Sequence, residues 1–166
     1  MTAIIGLALA AGGTVVLLLG SESKPARPAL VVANDVSGRA TACLATDTAT
    51  ATTTDAVPEI WAAMQAAGSE SATNVQQLIT PAVDADQAEP HLAGLLSQHC
   101  DLIVTVGPAF GLAVPKLALL VPAVRFTAIA STFTGSIPNV TLLGRESPVN
   151  AVRQQVTTLQ LSRVER

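Results

Sequence analysis

Residues 101–106 read DLIVTV and are closed at once by Gly107-Pro108, and this stretch decides the fold. Leu102, Ile103, Val104 and Val106 follow one another without the polar–apolar alternation of a half-exposed strand. Such a run suits a parallel strand covered on both faces, and the Gly-Pro pair is a natural stop. Working upstream, residues 84–98 (DADQAEPHLAGLLSQ) predict a helix. Asp86 and Glu89 have capping-box spacing there, with Glu89-Pro90 as an alternative start. Before it, residues 74–80 (NVQQLIT) predict a strand. Residues 57–67 (VPEIWAAMQAA) place Ile60, Met64 and Ala67 at helical spacing, with Asp55 as N-cap and Gly68 as the stop. A first strand is expected at residues 42–45, ending at Thr46-Asp47 and followed by a threonine-rich loop. Downstream, residues 110–120 predict a helix in spite of Pro115, residues 124–130 (VRFTAIA) and 139–143 (NVTLL) two more strands, and 149–161 a last helix. Strands alternating with helices in this way predict an α/β fold, a three-layer parallel sheet with helices on both faces.

Composition agrees with that architecture. The 166 residues allow one domain of ordinary size. Hydrophobic residues make up 49% of the chain but aromatics only 2%, so the core must be built from Ala, Val, Leu and Ile. A net charge of −3, with the lysines and arginines scattered, leaves no electrostatic footprint for nucleic acid.

Residues 1–20 contain the uncharged run AIIGLALAAGGTVVLLLG, from Ala3 to Gly20, at the lower edge of bilayer-spanning length. Three readings are open: an uncleaved membrane anchor, a cleaved export signal lacking a basic start and a small-x-small site, or a buried helix. No cysteine follows the run, so lipid attachment there has no acceptor. Residues 21–38 begin SESKPARP and read as a linker, leaving 39–166 as the lobe. Lys24 and Arg27 follow the run and cast a weak vote for a cytoplasmic domain.

Little points to catalysis. His91, His99, Cys100 and Asp101 match no standard zinc spacing. The nucleophile elbow, the P-loop and the dinucleotide fingerprint are missing from the sequence. The expectation is no enzyme, no metal and no cofactor. The alternative from that class is a soluble cytoplasmic enzyme or regulator with residues 3–20 as a core helix.

Four passages in order resemble the basic membrane protein family, solute-binding lipoproteins of the purine nucleoside receptor type. ACLATD (42–47) looks like that family's first strand, and IWAAMQAA (60–67) its first helix. DADQAEPHLAGLLSQHCDLIVTVG (84–107) resembles its acidic turn, second helix and third strand. AVPKLALLVPAVRFTAI (113–129) resembles the next helix and strand; beyond these four, PNVTLLGRES (138–147) is similar to the segment that leads toward the hinge. The resemblance covers roughly residues 39–147 and implies a single N-terminal lobe of the periplasmic-binding-protein-like I fold, with strand order 2-1-3-4-5. Strands one and three would then be neighbours, so Cys43 and Cys100 are either a disulfide or two buried thiols.

This sequence departs from the family twice. A receptor of that kind closes two lobes around its ligand, and this chain resembles one. The family's loop after strand one also carries glycines, paired aspartates, a phenylalanine and an asparagine, where residues 47–57 here read DTATATTTDAV. Asp47 is kept, Asp55 lies nearby, and Gly107 and Phe110 sit where ligands dock in open sheets. These four are the candidate ligand-binding residues of a degenerate site. The resulting expectation is a non-enzymatic, membrane-anchored or exported module, extracytoplasmic or secreted. Its partner would be a protein or a second copy, met through the face that a second lobe would cover. Residual nucleoside or small-molecule binding for an ABC transporter is the alternative.

Overall fold

The computed structural model describes residues 38–146 and 148–164. The apolar segment 1–20 and all of the linker 21–38 except Gly38 lie outside the described residues.

Five parallel strands form one sheet in the order β2-β1-β3-β4-β5. They are β1 (Thr41–Asp47), β2 (Asn74–Thr80), β3 (Leu102–Val106), β4 (Arg125–Ile129) and β5 (Val140–Leu143). The helices are α1 (Thr48–Thr53), α2 (Ala56–Ser71), α3 (Ala85–Ser97), α4 (Pro108–Leu120) and α5 (Pro148–Val164). The three-layer α/β fold and its strand order are as the sequence and the resemblance predict. β1 and β3 run in register from Ala42 beside Leu102 to Thr46 beside Val106.

Every residue of β1 and β3 is buried, which is why neither alternates. One face carries Cys43, Ala45, Ile103, Phe126 and Ala128 under α3 and α4. The other carries Ala42, Leu44, Leu102, Val104 and Ile129 under α2 and α5. Apart from Phe126, the side chains named are aliphatic or small, so helices approach the sheet closely. Gly68 shows how closely: a Cβ there would stand 2.8 Å from the Thr73 carbonyl oxygen and 2.8 Å from a Val75 methyl carbon.

Several element ends differ from expectation. Gly68 does not stop α2, which runs on to Ser71 and ends at Ala72 in the left-handed conformation, φ 54°. Asp55 occupies the N-cap position of α2 but makes no side-chain cap hydrogen bond. Asp84 caps α3 by accepting from the Gln87 amide, so neither Asp86 nor Glu89 starts it and Pro90 lies inside. The threonine-rich segment is not a loop. Thr48–Thr53 is a helical turn and a half, because Asp47 caps it.

No helix joins β4 to β5. The connection crosses the α4 face and is anchored by Asn139, whose amide donates to the carbonyls of Ala118, Val121 and Val124 at 2.8–3.3 Å. Cys43 and Cys100 form a disulfide across a Cα–Cα distance of 6.0 Å. Both sulfurs lie in the α3/α4 core, with Cys43 fully buried.

Candidate functional site

In an open parallel sheet, ligands dock beyond the carboxyl ends of the strands, where the chain leaves in opposite directions. Here that point lies between β1, which leads out to β2, and β3, which leads to β4. A crevice opens there, with a volume of about 220 Å³. Thr50, Thr53, Thr54 and Ala56 form its wall after β1, and Val106, Gly107 and Pro108 its wall after β3. Ile129 and Ala130 at the end of β4, with Arg145 of the β5–α5 loop, close the remaining side.

The positions of these groups follow from local chemistry. Asp47 ends β1 and turns its carboxylate back onto the start of α1. One oxygen accepts from the Thr50 amide at 2.7 Å, and the other from the Thr50 hydroxyl at 2.6 Å. Asp47 is 5% exposed, so its charge is held behind the crevice wall. Gly107 follows β3 with φ 95°, a conformation that a side chain strains. A Cβ on Gly107 would lie 2.6 Å from the Thr50 hydroxyl and 3.2 Å from an Asp47 carboxylate oxygen. Gly107 also donates its amide to the Ile129 carbonyl at 3.0 Å. Asp47, Thr50 and Gly107 thus close on one another at the back of the crevice.

Of the four candidate residues, only Gly107 lines the crevice. Asp47 stands behind it, committed to capping. Asp55 is exposed at the start of α2, where its neighbours Thr54 and Ala56 line the crevice and it does not. Phe110 is fully buried and packs in the α3/α4 core, so no aromatic face is offered to a base. Arg145, an exposed wall residue, was not singled out from the sequence. Nothing at the level of sequence marks it, since it lies far along the chain from Thr50 and Gly107.

Cys100 is committed to the disulfide and supplies no thiolate beside His99 and Asp101. Asp101 instead accepts from the Thr41 amide at 3.0 Å, tying the start of β3 to the start of β1.

No family model matches the sequence, and no curated protein matches it. Among solved structures, the chain is similar to one described as "putative lipoprotein from Peptoclostridium difficile 630 (fragment)". The identity is 14%, the TM-score 0.56, and the match covers 76% of this chain and 96% of the other. A second, a transcriptional activator of the comK gene from Bacillus halodurans, gives 16% identity and a TM-score of 0.48. That match covers 62% of this chain and 33% of the other. At 14% identity the likeness to the first is one of fold.

Proposed function

We propose that this chain is an exported, membrane-tethered and non-catalytic module, built on one receptor-type lobe whose ligand loop has become structural. The observation that carries this reading is the state of Asp47. Within the resemblance it is the one ligand-loop acid retained, and both of its oxygens are hydrogen-bonded by Thr50 within the protein. A carboxylate so engaged is poorly placed to hold a sugar hydroxyl as well. The buried Cys43–Cys100 bridge supports export, because such disulfides persist in oxidising compartments. The neighbour described as a lipoprotein is compatible with the same location. Membership of the basic membrane protein family is the finer form of the proposal, and it rests on the passages 42–47, 60–67, 84–107 and 113–129.

The crevice face would then meet a protein partner or a second copy. Light scattering of the full chain in mild detergent tests this, with Ala56→Arg placed on the crevice wall. The expected result is an oligomer, or a stoichiometric complex, that the substitution disrupts. A monomer that retains no partner would refute it. Export is tested separately by fusing alkaline phosphatase after Arg166, since that reporter is active only outside the cytoplasm.

One observation favours the alternative of residual small-molecule binding: Thr53, Thr54 and Arg145 do present polar groups to the crevice. Its volume, about 220 Å³, lies below the roughly 300–1,000 Å³ of ordinary ligand pockets. Calorimetry against a nucleoside panel separates the readings. Saturable heat lost on Arg145→Ala would favour the alternative, and silence up to about 1 mM the main proposal.

A further inference from the structure

An open sheet ends in two edges, each with a row of backbone donors and acceptors that no strand has taken. β5 blunts one edge by being four residues long, whereas β2, at the other, runs for seven. Among the described residues β2 pairs with β1 alone, in an unbroken one-to-one register from Asn74 to Thr80. Asn74 donates its amide to the Ala40 carbonyl at 2.8 Å and so faces β1, as Gln76, Leu78 and Thr80 do by alternation. Val75, Gln77 and Ile79 therefore direct their amides and carbonyls outward.

This edge lacks the devices that usually keep strands of different molecules apart. Residues 72–80 (ATNVQQLIT) contain no charge and no proline, and the continuous register leaves no bulge. Gln76 and Gln77 are exposed, and Ile79, a β-branched residue, is 46% exposed. Carboxylates of the flanking helices are drawn away from the edge. Glu70 of α2 is paired with Arg153 of α5, and Glu89 of α3 with Lys116 of α4. In a chain of net charge −3, β2 is thus a stretch where two copies can meet without setting like charges opposite each other.

We propose that β2 is a homodimer contact, at which two copies of this chain pair antiparallel about a twofold axis through Gln77. The two five-stranded sheets then continue into one. An axis at Gln77 engages the whole strand. It sets Val75 against Ile79 of the second copy, twice, and Gln77 against its own counterpart, so outward-facing residues meet outward-facing residues. Each such pair exchanges two backbone hydrogen bonds, about six in all, against roughly ten in an ordinary protein interface. Val75 and Ile79 lie on one face of the strand, and β-branched pairs across a strand boundary add to sheet stability. The dimer goes beyond the crevice reading and does not depend on it. No β2 residue lines the crevice, which stays open to a partner of another kind.

The test uses the full chain in mild detergent. The native cysteines are joined to each other, so an introduced cysteine reports alone. Under copper–phenanthroline oxidation Gln77→Cys is expected to give a covalent dimer, because position 77 meets itself at about 5.5 Å between Cα atoms. Ile79→Cys is expected to cross-link at least about fivefold less, since its two copies stand on the order of 13 Å apart along the strands. In light scattering, Gln77→Lys should give the monomer mass at a concentration where the wild type is dimeric, and Ala56→Arg should leave the dimer intact. Gln77 is exposed, so its substitutions spare the core. Equal cross-linking at 77 and 79, a dimer that survives Gln77→Lys, or one lost on Ala56→Arg overturns the pairing. A monomeric wild type overturns it as well; if that monomer binds a partner that Ala56→Arg releases, the crevice reading stands without it.

Discussion

Removing the Cys43–Cys100 bridge should cost this domain a large part of its stability. The two residues are 57 positions apart, and the bridge closes that loop in the unfolded chain. Loop-closure entropy for such a loop amounts to about 14 cal/mol/K, or about 4 kcal/mol at 25 °C. Domains of this size are stable by only about 5–15 kcal/mol. The cleanest perturbation is Cys43→Ala with Cys100→Ala, which leaves no buried unpaired thiol or hydroxyl. Loss of packing around Cys43, fully buried, and Cys100, 2% exposed, adds to the entropic effect. Urea unfolding, followed by the signal of Trp61, measures the difference against the oxidised chain. With an urea slope of about 2 kcal/mol/M, the midpoint should fall by about 2 M. A fall of less than about 0.5 M would refute the reasoning, because the cross-link would then not be restricting the unfolded chain. Thiol titration of the denatured, unreduced wild-type chain must give no free thiol; two would remove the premise.

Four further substitutions, one of them in a double-mutant cycle, probe the packing around the sheet. Thr105 is fully buried on β3, and its hydroxyl has no hydrogen-bond partner. Thr105→Val keeps the shape and removes that burden, so thermal unfolding should show a gain of about 1 kcal/mol. Gly107→Ala should lose about 2 kcal/mol, from its positive φ and from the Cβ pressed against Thr50. Adding Thr50→Ala should restore part of that loss in a double-mutant cycle, and strict additivity would count against the contact. Asn139→Ala strips three carbonyls of a shared donor and should cost about 2 kcal/mol in urea unfolding, chiefly by loosening the crossing to β5.

The sheet was readable because its central strand leaves no ambiguity. DLIVTV has neither the length of a helix nor the alternation of an edge, and the segments around it fall into place by spacing. Its partnership with β1 came from the resemblance, and with it the proximity of Cys43 to Cys100. What the sequence concealed lies in the loops. A run of threonines has poor helix propensity, yet Thr48–Thr53 is helical, because Asp47 supplies the cap that propensity alone omits. Gly68 has the signature of a helix stop, and its actual role is to let α2 lie against Thr73 and Val75. Phe110, two residues past Pro108, looks like a rim residue until the helix start turns its ring into the core. Arg145 reaches the crevice only through tertiary folding. The common cause is that turns and caps depend on a few local bonds, whereas strands depend on patterns extending over many residues.

The bridge also decides how the domain bears load. Tension applied from the N-terminus enters at Gly38 and passes into β1, which lies parallel to β3 and must be sheared along it. Shear loads a row of hydrogen bonds together, and the covalent link at Cys43 then carries the pull across to Cys100 and the foot of β3. Only the few residues before Cys43 can be drawn out by that force. The rest of β1 and the walls of the crevice would stay folded under drag that could pull an unlinked strand from the sheet's centre.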